Sequence, residues 1–433
     1  MKQILTKSVR KVLPKTASRG LEEFYRKNRI RVLRTYYGNP SKKLKILAVT
    51  GTNGKTTTVN YLNEILKEAG HKTAMFSTAE IEVAGKRKLN DLNATVPTTA
   101  QVMNFLRQAK RAEVDHVVLE VTSHALAQHK LDGLPIMMAV MTNVTQDHLD
   151  YFKTMENYAA AKGVLFSGEP RYIVLNRDDE WYEFFNRFEA GELKISYGQS
   201  KAATTQISKV KLFKNGTEAW LKIGSSDKFE VATSLTGEFN AYNMAAAASA
   251  ASLLGAGEEA IQNGIANLET LPGRFERAVK GEPYEVIVDY AHTPDAIEKL
   301  LKSAKKVTKG RVILVFGATG DRDRGKRPIM GEIAAREADL IFVTDEENYT
   351  EPADQIRTEV MQGIQNVLQV PYLQKKVQEV PDRYEAIKAA LEVAREGDMI
   401  LITGMGHEVY RITDGKRIPW NDGDVVREIL SKK

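Results

Sequence analysis

The chain has no cysteine among its 433 residues. That excludes disulfides, thiolate metal sites and cysteine nucleophiles, and it fits a reducing compartment. It has no run of 18 apolar residues, so no segment reads as a membrane span. The N-terminus is basic but lacks the continuous apolar stretch of a secretory signal. There is no internal repeat and no low-complexity segment. These absences leave a chain that reads as a soluble, cytoplasmic enzyme of two or three domains, each long enough for its own core.

Charge is unevenly spread. The net charge is +6, but residues 1–45 carry fourteen Lys/Arg against two Glu, and their +12 leaves −6 for residues 46–433. The basic character therefore belongs to a leader, which could touch phosphates, anionic lipid or nucleic acid. Its stretch from Leu21 to Tyr37 is amphipathic enough for a helix, and a solvated helix packed on the next domain is the plainer alternative. Gly38-Asn39-Pro40-Ser41 reads as a turn and a natural boundary.

The most specific signal in the chain lies just beyond that boundary. The apolar run Ile46-Leu47-Ala48-Val49 leads into Thr50-Gly51-Thr52-Asn53-Gly54-Lys55-Thr56-Thr57. A buried strand, a Gly-rich turn ending in Lys-Thr and a helix make a cradle whose backbone N–H groups point at an anion. Lys55 supplies charge for the β/γ-phosphates of ATP, and the Thr56 hydroxyl can ligate Mg²⁺. Val49 stands where the strict pattern has its first glycine, so the loop is a variant form. Val59, Leu62, Leu66 and Ala69 share one face of the predicted helix, and Gly70 sits where a C-terminal cap belongs.

Beyond the leader, short apolar strands alternate with helical patterns, the signature of parallel α/β sheets. Ligands bind such sheets beyond the carboxyl ends of the strands. Six strands deliver polar residues there: at Glu120 to His124, Thr142-Asn143, Asp289 to His292, Gly317 to Arg327, Thr344 to Glu347 and Thr403 to Glu408. The expected fold is α/β, with a short segment 1–45, a central P-loop ATPase domain over 46–277 and a Rossmann-like domain over 278–433. Glu120 and His148 are plausible hard-cation ligands beside the loop, although either could be a structural hydrogen-bonding group. Gly320 to Lys326 mimics a second phosphate loop, but Arg327 replaces the required Ser/Thr, so it reads as an anion-facing loop.

Taken together, Thr50 to Thr57, Glu120 to Leu126, Asp147-His148-Leu149-Asp150-Tyr151, Leu271-Pro272-Gly273-Arg274, Asp289 to Pro294 and Gly320 to Arg327 resemble the Mur ligases. The nearest branch is the muramoyl-tripeptide synthetases of peptidoglycan synthesis. The resemblance runs from about residue 36 to the C-terminus. It implies an ATP- and Mg²⁺-dependent amide ligase that activates UDP-N-acetylmuramoyl-L-Ala-D-Glu as an acyl phosphate and adds a third, diamino acid. A monomer without nucleic-acid partners is expected.

By the same resemblance, Gly51, Thr52, Asn53, Gly54, Lys55, Thr56 and Thr57 hold ATP with Asn240, Arg274 and Asp289. Thr56, Glu120 and His148 hold metal, and Lys162 matches a carbamylated lysine. The muramoyl substrate falls to Thr95, Thr122, Gln128 and Lys130, and the acceptor amino acid to Arg322, Glu346, Glu347, Tyr349, Gly404 and Glu408.

The chain departs from the family pattern in places. Thr95-Val96-Pro97 and Thr122-Ser123-His124 replace Thr-Thr-Pro and Ser-Ser-His, and Lys130 replaces an Arg, losing its bidentate fork. The family's uridine-binding domain is longer than the leader here. The expectation is weak UDP recognition, recognition by the leader, or a lipid-linked substrate with residues 1–45 leaning on a membrane. Diaminopimelate enzymes carry Asp-Asn-Pro-Arg where this chain has Glu346-Glu347-Asn348-Tyr349. Loss of that Arg favours L-lysine or a similar diamine over diaminopimelate. Folylpolyglutamate- or cyanophycin-type ligation is the alternative within the superfamily, and a nucleic-acid-binding ATPase lies further off, since residues 46–433 are net acidic.

Overall fold

The computed structural model describes residue 30, residues 32–90 and residues 97–432. Most of the leader thus lies outside the described residues. Its described end packs down: Ile30 is buried, and Arg34 donates to the Gly133 carbonyl at 2.6 Å.

Among the described residues, the larger sheet has eleven strands. Its parallel centre runs in the order Leu193–Gly198, Tyr172–Asn176, Ile136–Met141, Lys45–Thr50, His116–Glu120 and Thr73–Phe76. An antiparallel meander of Thr205–Phe213, Gly216–Ile223 and Phe229–Thr233 extends one edge, and the hairpin Glu80–Val83/Lys86–Leu89 extends the other. Ile46, Leu47, Ala48 and Val49 are all fully buried, as a strand covered on both faces requires. One face is covered by the phosphate-loop helix Lys55–Glu68, the alanine-rich helix Glu238–Ser252 and the helix Glu258–Ala266. The phosphate-loop helix ends as its pattern predicts, with Ala69 as cap and the Gly70 N–H returning to the Lys67 carbonyl at 2.9 Å.

The chain leaves this layer after Ala266 and enters a second sheet at Glu276–Arg277. In order, that sheet runs Glu276–Arg277, Glu285–Asp289, Met399–Thr403, Val312–Phe316, Leu340–Val343 and Val377–Glu379, all parallel except the first pair. Its two faces carry separate apolar cores. Parallel strands in both sheets aim their carboxyl ends into one cleft between the two lobes. Among the described residues, no helix is long and apolar enough to cross a membrane.

Candidate active site

The phosphate loop is held from outside itself. Asn53 donates its backbone N–H to Asn143 Oδ1 at 2.9 Å, and its carbonyl accepts from Thr142 Oγ1 at 2.7 Å and Asn143 Nδ2 at 2.9 Å. Gly54 caps the helix at φ +82°, and a Cβ there would fall 2.2 Å from Asn243 Oδ1. Only glycine satisfies both conditions. Lys55 folds back to donate to the Thr52 carbonyl at 2.8 Å, and burial lowers its pKa against the pull of Glu120.

Thr56 Oγ1 donates to Glu120 Oε2 at 2.9 Å, and the same oxygen accepts the Thr78 N–H at 2.7 Å. A hydroxyl and a carboxylate at a helix N-terminus suit a hard divalent cation such as Mg²⁺. Among the described residues, no group of three or more His, Asp or Glu is arranged to hold a metal ion on its own, so phosphate and water oxygens would complete its shell. His148 sits at φ +58° ahead of the short helix Leu149–Phe152, its Nε2 3.3 Å from Asp147 Oδ2. Burial pushes its pKa down to about 3, leaving a neutral imidazole with a lone pair to give.

Lys162 projects from the helix Met155–Gly163 beneath the loop. Its amine donates to the Gly51 carbonyl at 2.8 Å and lies over the Tyr158 ring. Burial, reinforced by Lys55, drives its pKa well below the usual lysine value.

Residues at the lobe junction, in the second lobe and on the alanine-rich helix close the other side. Arg274 donates to Thr56 Oγ1 at 3.1 Å and stacks on Tyr290, while Asp289 accepts the N–H groups of Phe275 and Ala291. Asn240 turns its amide N–H inward to the Leu235 and Thr236 carbonyls. Its Oδ1 holds Asn243, the side chain packed against Gly54.

Further along, Glu346, Glu347 and Glu408 gather with Arg322. Thr319 donates to Glu346 Oε1 at 2.5 Å, while the buried Oε2 has no hydrogen-bond partner among the described residues. Gly404 leaves that oxygen room, since a Cβ there would fall 2.1 Å from it. Tyr349 donates to Glu347 Oε2 at 3.1 Å, and Arg322 lies over the Tyr349 ring. Burial first, and then the neighbouring Glu347, push the Glu408 pKa up to about 7.

A cleft of about 1090 Å³ joins these groups, from the phosphate loop through Glu120, His148 and Lys162 to Arg322, Tyr349 and Glu408. Thr122 lines it too. Lys130 instead lines a small apolar pocket beside Thr122, Gln128 caps the short helix Ser123–Ala127 and lines neither, and Thr95 lies outside the described residues. Within the loop over Gly320 to Arg327, read as anion-facing, Arg322 and Lys326 line the cleft but the other basic side chains are spent on the protein's own carboxylates. Arg327 is fully buried between Glu351 and Glu359, and Lys326 meets the protein's own Asp147. Sequence reasoning missed Asn243, Thr78 and Lys326 as site residues. Only Lys326 carried a signal, in its Gly-Lys step.

The fold and the cleft define a two-lobed α/β protein with a phosphate-loop cradle in its first lobe and an acidic pocket in its second. Residues 49–251 match the Mur ligase middle domain, and residues 273–406 match the Mur ligase glutamate ligase domain. The chain is 38% identical over 403 residues to the UDP-N-acetylmuramoyl-L-alanyl-D-glutamate–2,6-diaminopimelate ligase of Syntrophomonas wolfei, covering 92% of this chain and 80% of that one. It is 39% identical over 401 residues to the enzyme of the same name from Solibacter usitatus, with 92% and 79% coverage. A solved structure of a ligase of that name superposes with a TM-score of 0.64 at 31% identity, over 95% of this chain and 83% of the other. The Mycobacterium tuberculosis folylpolyglutamate synthase complexed with ADP gives 0.71 at 18% identity, over 87% and 91%, a likeness of fold alone. The chain belongs to the Mur ligase family, in its muramoyl-tripeptide synthetase branch. It is accordingly an ATP-dependent amide ligase.

Proposed function

We propose that this ligase adds the third amino acid to UDP-N-acetylmuramoyl-L-Ala-D-Glu, with residues 46–277 supplying the nucleotide site and residues 278–433 the acceptor site. The observation that carries the reading is the single cleft with a phosphate cradle at one end and an acidic pocket beside Arg322 at the other.

In the reaction, an oxygen of the terminal substrate carboxylate attacks the γ-phosphorus of ATP, and the bond to the β-bridging oxygen breaks to release ADP. The acceptor amine then attacks the acyl carbon, sheds a proton, and the carbon–oxygen bond to phosphate breaks. Lys55 and the loop N–H groups hold the phosphates, while Arg274, at the junction of the two lobes, and Asp289, from the second lobe, hold the nucleotide. The contribution of the protein is positioning and charge neutralisation. Thr56 and Glu120 would hold one Mg²⁺ and His148 a second, which when bound neutralise phosphate charge.

Arg322 pairs the acceptor α-carboxylate, and Glu346, Glu347 and Glu408 take a side-chain ammonium. Tyr349, in place of a cation for a distal carboxylate, favours L-lysine or a similar diamine, whereas the named relatives above are 2,6-diaminopimelate ligases. The test is phosphate release with ATP and UDP-muramoyl-L-Ala-D-Glu across lysine, ornithine, diaminopimelate and neutral amino acids. Turnover with a diamino acid supports the reading. Silence with all of them overturns the substrate assignment.

A further inference from the structure

Asp147 is the point at which the two lobes meet electrostatically. It is buried, and its Oδ1 accepts the His148 backbone N–H at 2.9 Å and, from the other lobe, the Lys326 ammonium at 3.1 Å. Its Oδ2 lies 3.3 Å from His148 Nε2 and 3.7 Å from Nε2 of His292, which also comes from the second lobe. Next to it, Gln146 donates to Asp323 Oδ2 at 3.4 Å, and Asp323 Oδ1 accepts the Gly325 N–H at 2.9 Å. Two consecutive residues of the first lobe thus contact the loop that starts the helix Lys326–Glu337.

The placement of Lys326 is costly on its own terms. It is 3% exposed and opens a helix, where the macrodipole disfavours a cation. Burial of an unpaired ammonium adds to that cost, and Asp147 is the partner that offsets both. That partner is present only while the lobes are together. Asp147 in turn grips both the backbone and the ring of His148, a residue held in the left-handed region that a β-substituted side chain rarely adopts. The pair therefore links the position of the second lobe to the orientation of an imidazole in the first.

We infer that Asp147 and Lys326 form a closure latch, in which Lys326 acts as a positioning residue that completes the Asp147–His148 turn only in the closed enzyme. His292 is the second prong of the same contact. The inference rests on the amide-ligase reading for its effect on turnover, but not for its effect on closure.

Closure can be measured apart from chemistry. The chain has no native cysteine, so cysteines placed at the exposed Lys228 and Glu392 take a donor–acceptor dye pair without background labelling. With a non-hydrolysable ATP analogue, the parent protein should populate a high- or low-transfer closed state that K326M populates at least about fivefold less. In turnover assays, K326M should lower kcat by about 10²-fold while moving the ATP KM less than about threefold, and K326R should restore most of kcat. K306M, which breaks the exposed interlobe pair with Glu238, should change kcat less than about twofold. K326Q serves the same comparison if K326M melts early. Equal closed populations in the parent and K326M would overturn the latch, as would a raised ATP KM at unchanged kcat, which would make Lys326 a ground-state phosphate ligand. Absence of turnover in the parent with every acceptor would count against the substrate assignment and leave the closure result standing.

Discussion

Lys162 Nζ donates to the Gly51 carbonyl at 2.8 Å, so a buried amine sits directly under the first turn of the phosphate loop. Burial and the nearby Lys55 favour its neutral form, which is the nucleophilic one. An amine of this kind can take up CO₂ as a carbamate, which converts a buried neutral amine into an anion facing His148 and Lys55. Replacement by arginine installs a positive charge and forbids that conversion. K162R is expected to lose about 10²- to 10³-fold in kcat, the range for removal of a preorganised charge. Added bicarbonate should raise the activity of the parent after CO₂ stripping but not that of K162R. Phosphate release measured with and without bicarbonate decides it; full activity of K162R would exclude the carbamate.

Gly54 and Asn243 share one space. Gly54→Ala combines a φ of +82° with a Cβ placed 2.2 Å from Asn243 Oδ1. A strained left-handed residue costs roughly 1–3 kcal/mol, before any clash. G54A should therefore lower the melting temperature and weaken ATP binding by at least about tenfold. Adding N243A relieves the clash but not the backbone strain, so the double variant should recover only part of the affinity. Nucleotide titration and thermal melts on the parent, G54A and the double variant check this. Full recovery in the double variant would assign the whole effect to the clash.

These two cases mark what was legible in the sequence. The loop, its strand and its helix were, because a buried apolar run and local glycine chemistry specify them within about 25 residues. The six strand ends were legible for the same reason: each apolar run stops where its carboxyl end meets the cleft. The Asp147–Lys326 pair and the Asn53–Asp295 hydrogen bond were not, since their partners stand 179 and 242 residues apart and meet only through the seating of the two lobes. Nor could local pattern reveal that Asn240 turns its amide N–H groups to the backbone, leaving Asn243 against the loop. Gln128 and Lys130 were assigned through resemblance, and neither is among the residues that line the main cleft; Gln128 caps a short helix and Lys130 lines a small neighbouring pocket.

Tyr349 offers a test of acceptor choice. Its hydroxyl donates to Glu347 at 3.1 Å, and its ring lies under Arg322, so it closes the pocket without supplying a charge for a second carboxylate. Y349R would place a guanidinium there, able to pair a distal carboxylate bidentately and to repel a lone ammonium. The ratio of kcat/KM for diaminopimelate over lysine should rise at least about tenfold. An unchanged ratio would show that Tyr349 does not read the side chain.

Glu408 sets a pH dependence whose sign can be worked out. Its carboxyl is pushed from 4.5 up to about 7, by burial first and by Glu347 second, so it is largely protonated below neutrality and ionised above it. An acceptor ammonium binds the ionised form better. The acceptor KM should therefore fall as pH rises through about 7, and E408Q should flatten that fall while leaving the ATP KM unchanged. Stability runs the other way. Between 4.5 and about 7 the folded state holds a proton that the unfolded chain has released, so this group favours folding at the acid end of that window and loses its contribution as pH rises. The acceptor-free protein should thus lose thermal stability from about pH 5 to pH 8 more steeply than E408Q does, and saturating lysine should offset part of the loss. Parallel melting curves for the two proteins, together with a pH-independent acceptor KM in the parent, would remove Glu408 from the ammonium pocket.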